Sequence, residues 1–99
     1  MIRNVVVGRL REGADPARLD AALEAIAGLV LPGLLDVHVG RDLGLRDGGW
    51  SFAITNDWVD EDAYRGYDLD EEHNRLRREL FAPLCEQIVR VQFALPGAG

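Results

Sequence analysis

The apolar residues of this chain change their spacing in a fixed order: alternation by twos, then a helical spacing, then twos in two successive stretches, a helical spacing again, and twos to the end. Period two marks a half-buried strand, and apolar residues recurring at i, i+3, i+4 and i+7 mark an amphipathic helix. The order of elements therefore reads β-α-β-β-α-β. Residues 2–10 are β-branched at the centre and place Arg3, Val5, Val7 and Arg9 on one face. Asp15-Pro16 supplies an N-cap and a proline at the first helical position. Leu19, Ala22, Leu23, Ile26 and Ala27 then form one stripe, and Pro32-Gly33 ends the segment. A second strand is expected over 34–42, with Leu35, Val37 and Val39 on one side and Asp36 and His38 on the other. The glycine-rich stretch 43–49 carries Asp47-Gly48 and reads as a loop or hairpin returning the chain antiparallel. A third strand over 50–58 puts Trp50, Phe52, Ile54, Asn56 and Trp58 on one face.

Asp60 is expected to cap a short helical turn running to Tyr64, which Gly66 interrupts. Asp68 and Glu71 have the spacing of a capping box for a second main helix with the stripe Leu76, Leu80, Phe81 and Leu84, ending near Pro83. A last strand over 87–95 sets Val89, Val91, Phe93 and Leu95 against Arg90 and Gln92, and Pro96-Gly97 stops it. This is the ferredoxin-like arrangement, an α+β fold with a four-stranded antiparallel sheet and its helices on one face. Ninety-nine residues suffice for one such domain, over 1–99. The face without helices carries large apolar side chains, so a second copy packed sheet against sheet is expected, giving a homodimer.

Charge narrows the partners. Seventeen acidic residues against eleven basic ones give a net charge of −6, which repels phosphate backbones and anionic membranes. Neither nucleic acid nor a membrane is expected. Every basic residue is arginine, a feature of GC-rich, bacterial coding. No apolar run approaches the roughly 20 residues needed to span a bilayer. The apolar stretch at the N-terminus is too short for a signal peptide, and the lone Cys85 has no intrachain partner, so a cytoplasmic protein is expected. Phosphate loops, nucleophile elbows and nucleotide fingerprints are missing from the sequence.

Tyr67 and His73 are the pair that joins a hydrogen-bond donor to a group titrating near neutrality, as proton abstraction beside a carbonyl requires. Tyr67 would donate to the carbonyl oxygen and His73 would take the proton. Asp70, three residues before His73, would hold the imidazole tautomer, with Asp68 and Glu72 adding negative potential. The competing reading packs the Tyr67 ring in the core and has His73 bond to backbone at the helix start. Asp68, Asp70, Glu71, Glu72 and His73 also invite a metal reading, but successive helical residues diverge and the two-His spacing of a helical zinc site is lacking, so no metal is expected. His38 reads as a surface or interface residue. Trp50, Phe52 and Trp58 read as sheet or dimer core before a stacking platform, and Cys85 as an inert thiol in an apolar setting.

Several segments carry a family likeness. The opening Met1-Ile2-Arg3-Asn4-Val5-Val6-Val7, the Leu31-Pro32-Gly33 turn with Val39-Gly40-Arg41, Tyr67 followed six residues later by His73, and Ala82-Pro83-Leu84 resemble the stress-responsive A/B barrel (Dabb) family of dimeric α+β barrels. The likeness covers nearly the whole chain. It implies a dimeric barrel, and Tyr67 with His73 matches the ends of a Tyr-x-x-His-Pro-x-His motif whose tyrosine and last histidine assist ring closure in a plant polyketide cyclase of the family. Asp70 and Glu71 stand where that motif has His-Pro, and Asn4 and Phe52 where that cyclase has further histidines. Residues and resemblance together lead to an expected small, largely apolar carbonyl-containing ligand, with Asn4, Phe52 and Trp50 as candidate contacts. The expected chemistry is a cofactor-free cyclase or lyase step with His73 as base and Tyr67 as donor, the pair that the resemblance matches, and with Asp70, read from its spacing alone, orienting His73. A non-catalytic stress-response or ligand-binding protein and a cofactor-free monooxygenase of the same fold are the alternatives.

Overall fold

The computed structural model describes residues 1–96. It contains strand β1 (Ile2–Leu10), helix α1 (Pro16–Ala27), strands β2 (Leu34–Arg41) and β3 (Phe52–Trp58), helices α2 (Glu61–Leu69) and α3 (Glu71–Leu76), a π-helical turn over Arg77–Phe81, and strand β4 (Cys85–Ala94). The strands form one antiparallel sheet in the order β2-β3-β1-β4, the ferredoxin-like order. Asp15 caps α1 by accepting from the Ala17 N–H at 2.9 Å, with Pro16 behind it. Leu19, Ala22, Leu23 and Ile26 are buried against Phe52, Ile54, Leu76, Phe81 and Leu84. Gly33 turns the chain into β2 with φ +83°, and a Cβ there would collide with Ala63 and Val59, so this position needs glycine for both its backbone and its neighbours.

Strand alternation divides the sheet into two chemically different faces. Phe52, Ile54, Asn56 and Trp58 lie under the helices together with Asn4, Val6 and Gly8 of β1. The opposite face carries Arg3, Val5 and Val7, flanked on β4 by Phe93, Val91 and Val89, and no element of the described chain covers it.

The structure corrects six sequence expectations. Leu35 does not share a face with Val37 and Val39: a bulge between Leu34 and Asp36 puts Leu34 in register with Trp58 and leaves Leu35 52% exposed. Trp50 lies before β3, which starts at Phe52, and its indole packs under the Arg9 guanidinium at 4.4 Å. Gly66 does not interrupt the helix after Asp60, because α2 continues through it to Leu69; the Asp60 cap itself is present, accepting from Ala63 N–H at 2.9 Å. Asp68 lies inside α2, and the cap of the following helix is Asp70. The second main helix is not uniform: Ala82 N–H bonds to the Arg77 carbonyl, an i→i+5 closure that widens its last turn. β4 begins at Cys85 and ends at Ala94, and of the expected stop at Pro96-Gly97 only Pro96 lies within the described residues.

Candidate acid–base site

Residues six apart on an unbroken helix point away from each other, at 100° per residue, so Tyr67 and His73 meet only because the helix breaks between them. Asp70 makes that break. Its backbone is extended (φ −65°, ψ 131°), its N–H closes α2 on the Tyr67 carbonyl at 3.1 Å, and its carboxylate Oδ2 accepts from the His73 N–H at 2.9 Å to open α3. The last turn of α2 and the first of α3 thereby bring the two rings into a stack, with centroids 3.8 Å apart and planes 26° from parallel. Trp58 supports the stack from the sheet, 4.9 Å from the Tyr67 ring, and fixes its own indole by donating Nε1–H to Asn56 Oδ1 at 2.7 Å.

These rings form part of the wall of a narrow cavity of about 40 Å³ between the helices and the sheet. Asn4, Val6, Phe52 and Ile54 form its floor; Tyr64, Tyr67 and Asp68 come from α2; His73, Arg77 and Phe81 come from α3 and the π turn; and Ile26, Ile88 and Arg90 complete it. Asn4 is buried, and its Oδ1 accepts from Gln92 Nε2 at 2.8 Å.

Burial sets the protonation states. The His73 imidazole is only 8% exposed, and its Nδ1 is buried without a hydrogen-bond partner. Desolvation lowers its pKa from the ordinary 6.5; the Tyr67 carbonyl, Asp68 and Asp70 pull the other way, while the nearby Arg77 cation adds to the lowering. His73 is thus neutral at pH 7. Burial pushes the Tyr67 phenol up to about 12, with the Asn56 side chain partly offsetting it, so Tyr67 stays protonated. A neutral imidazole and a protonated phenol are the forms a base and a donor require.

Among the expected site residues, the structure brings Tyr67, His73, Asn4 and Phe52 to one cavity. Trp50 does not line it, because its indole packs with Arg9 outside the helix-covered layer. Asp70 holds the His73 backbone and makes no bond to the ring, since its carboxylate is engaged as the helix cap. Arg77, Arg90, Tyr64 and Asn56 went unremarked as site residues; a polar Asn56 amid large apolar neighbours on β3 was the signal available for one of them. Cys85 is buried and its thiol pKa is raised by that burial. Among the described residues, no three His, Cys, Asp or Glu side chains converge as a metal site.

Comparison with known proteins places this architecture. The model of the stress responsive A/B barrel domain, Dabb, matches residues 2–95. The chain belongs to the Dabb family. No match was found among curated protein sequences. A dimeric ferredoxin-like protein of unknown function from Thermobifida fusca superposes with a TM-score of 0.84 at 31% identity, covering 95% of this Dabb chain and 90% of its own. A hydroxynitrile lyase from Passiflora edulis gives 0.83 at 19% identity, over 99% and 95% of the two chains. A Dabb family protein with a ferredoxin-like fold from Mesorhizobium loti gives 0.75 at 19% identity, over 97% of each. No helix of the described Dabb chain is long and apolar enough to cross a membrane.

Proposed function

We propose that this Dabb protein binds a small, largely apolar carbonyl compound in the cavity and catalyses a proton transfer beside the carbonyl, as in a cofactor-free cyclase or lyase step. The observation that carries the reading is the His73–Tyr67 stack on an apolar cavity wall, with an imidazole that burial keeps neutral. His73 takes a proton from the carbon next to the carbonyl, Tyr67 donates a hydrogen bond to the enolate oxygen, and the enolate carbon attacks a second carbonyl of the same molecule. The proton then returns from His73 to the new alkoxide, so the enzyme ends unchanged. Asp70 is a positioning residue that fixes the break between α2 and α3. The hydroxynitrile lyase of like fold supports the reading by analogy alone.

The working form is read as a homodimer. Val89, Val91 and Phe93 are 42%, 55% and 45% exposed on the uncovered face, an apolar surface that a second copy would bury, and similar structures from Thermobifida fusca and Bacteroides fragilis are described as dimeric. Sedimentation at micromolar concentration should give twice the chain mass.

Deuterium incorporation into the methyl group of aryl methyl ketones, beginning with acetophenone in D2O at pH 7, tests the chemistry. The wild type should accelerate exchange over buffer, and His73→Gln should lose about 10²–10⁴-fold of that acceleration. Exchange that is equal in the variant would remove His73 from the mechanism and leave ligand binding as the function.

A further inference from the structure

Two arginines reach the cavity from different walls, Arg77 from the π turn and Arg90 from the edge strand β4. Neither forms an ion pair among the described residues, although Arg3, Arg41, Arg65 and Arg75 all do. Asp68 is the one carboxylate lining the same space, so two arginines and a single carboxylate border it, Arg77 half-buried and Arg90 at its exposed rim. In a chain of net charge −6, that local excess of positive charge runs against the overall balance. The two cations also bear on the reactive rings: Arg77 helps lower the His73 pKa, and Arg90 acts to lower those of Tyr67 and Tyr64.

Resting on the reading of this cavity as the ligand site, we propose that it selects an amphipathic anion, with an apolar body against Phe52, Ile54 and Phe81 and a carboxylate or phenolate between Arg77 and Arg90. A guanidinium presents paired N–H donors that match a carboxylate edge to edge, and such charge-assisted bonds are about twice as strong as neutral ones. An anion anchored between the arginines leaves the ligand's carbonyl end free to meet Tyr67 and His73. The carboxylate thus sets which carbonyl compound is held and in which direction, while the proton transfer belongs to the stacked rings.

The test is a calorimetric titration with two probes of matched shape, 4-acetylbenzoate and its neutral analogue 4-acetylbenzamide, at low salt and pH 7. The wild type should bind the carboxylate about tenfold more tightly than the amide. In the Arg77→Gln/Arg90→Gln variant, with folding checked by circular dichroism, that preference should fall to about twofold or less. Equal affinities in the wild type, a preference that survives in the double variant, or no binding of either probe at millimolar concentration would each overturn the proposal. Exchange at the acetyl group of both probes separates the two readings. Exchange without carboxylate preference ends the anion proposal alone, and preference without exchange ends the acid–base reading alone.

Discussion

The two faces of the sheet are built from the same four strands and have opposite characters. Under the helices, large apolar side chains enclose a few polar ones: Asn4, Asn56 and His73 are 2%, 3% and 8% exposed. On the uncovered face, valines surround a two-bond ion pair, Arg3 Nε and Nη2 to Asp57 at 2.8 and 2.9 Å, and Asp57 is lowered from its ordinary pKa of 3.8 chiefly by that hydrogen bonding. A charge satisfied within its own face suits a surface that meets another protein. A buried imidazole with an unpartnered nitrogen suits a surface that meets a ligand. On the covered face the sheet's own Asn4 and Asn56 are hydrogen-bonded, and the unpartnered nitrogen, His73 Nδ1, is brought there by α3.

The covered face should be the more sensitive to truncation. Trp58 is 1% exposed, supports Tyr67 and bonds to Asn56, so Trp58→Ala should cost about 3–5 kcal/mol by chemical denaturation. A cost near that of an exposed substitution would mean that the stack does not depend on the sheet. Next comes Gly8, over which the Phe52 ring lies so closely that an added Cβ would overlap it. Gly8→Ala should cost about 1–3 kcal/mol and weaken ligand binding by moving Phe52, as titration with 4-acetylbenzoate would show; unchanged affinity would detach Phe52 from the site. Asp70→Ala should lose about 0.5–2 kcal/mol of capping, with Asp70→Ser recovering most of it. If the Tyr67–His73 stack survives Asp70→Ala in a crystal structure, the break has another cause.

The smallest effects separate the faces by pH. A buried His73 with a lowered pKa binds its proton less readily when folded than when unfolded, so stability is full above about 6.5 and declines as pH falls through the folded value. Asp57 acts in a lower window: its contribution is present above about 3.8 and is lost as pH falls through its depressed value. His73→Gln should flatten the first slope and leave the second, and Asp57→Asn should do the reverse. One variant that removes both slopes would deny that the faces titrate independently.

Much of the fold was legible because strand alternation and helix stripes are local. The stripe from Leu19 to Ile26 and the β3 face from Phe52 to Trp58 are written in spacing alone. The irregular positions were hidden because tertiary pairing creates them: the Leu35 bulge answers the register against Trp58 and Asp57, and α2 runs through Gly66 because glycine merely weakens a helix. At the site, Tyr67 and His73 showed in their side-chain chemistry, but the stack depends on a break whose position was read two residues early, at Asp68. Arg90 was hidden by its strand. With Val89, Val91 and Phe93 on the opposite side, it reads as a solvated residue until pairing with β1 places it beside Val6, over the cavity.

The central claim is that His73 is a buried, neutral imidazole opening onto a ligand cavity, and the most direct measurement is an NMR pH titration of the histidine ring carbons. The chain has two histidines, and a His38→Asn variant assigns them. The account predicts a His73 midpoint below 6.5 that moves when 4-acetylbenzoate is added. A midpoint at or above 6.5, unmoved by the ligand, would contradict it.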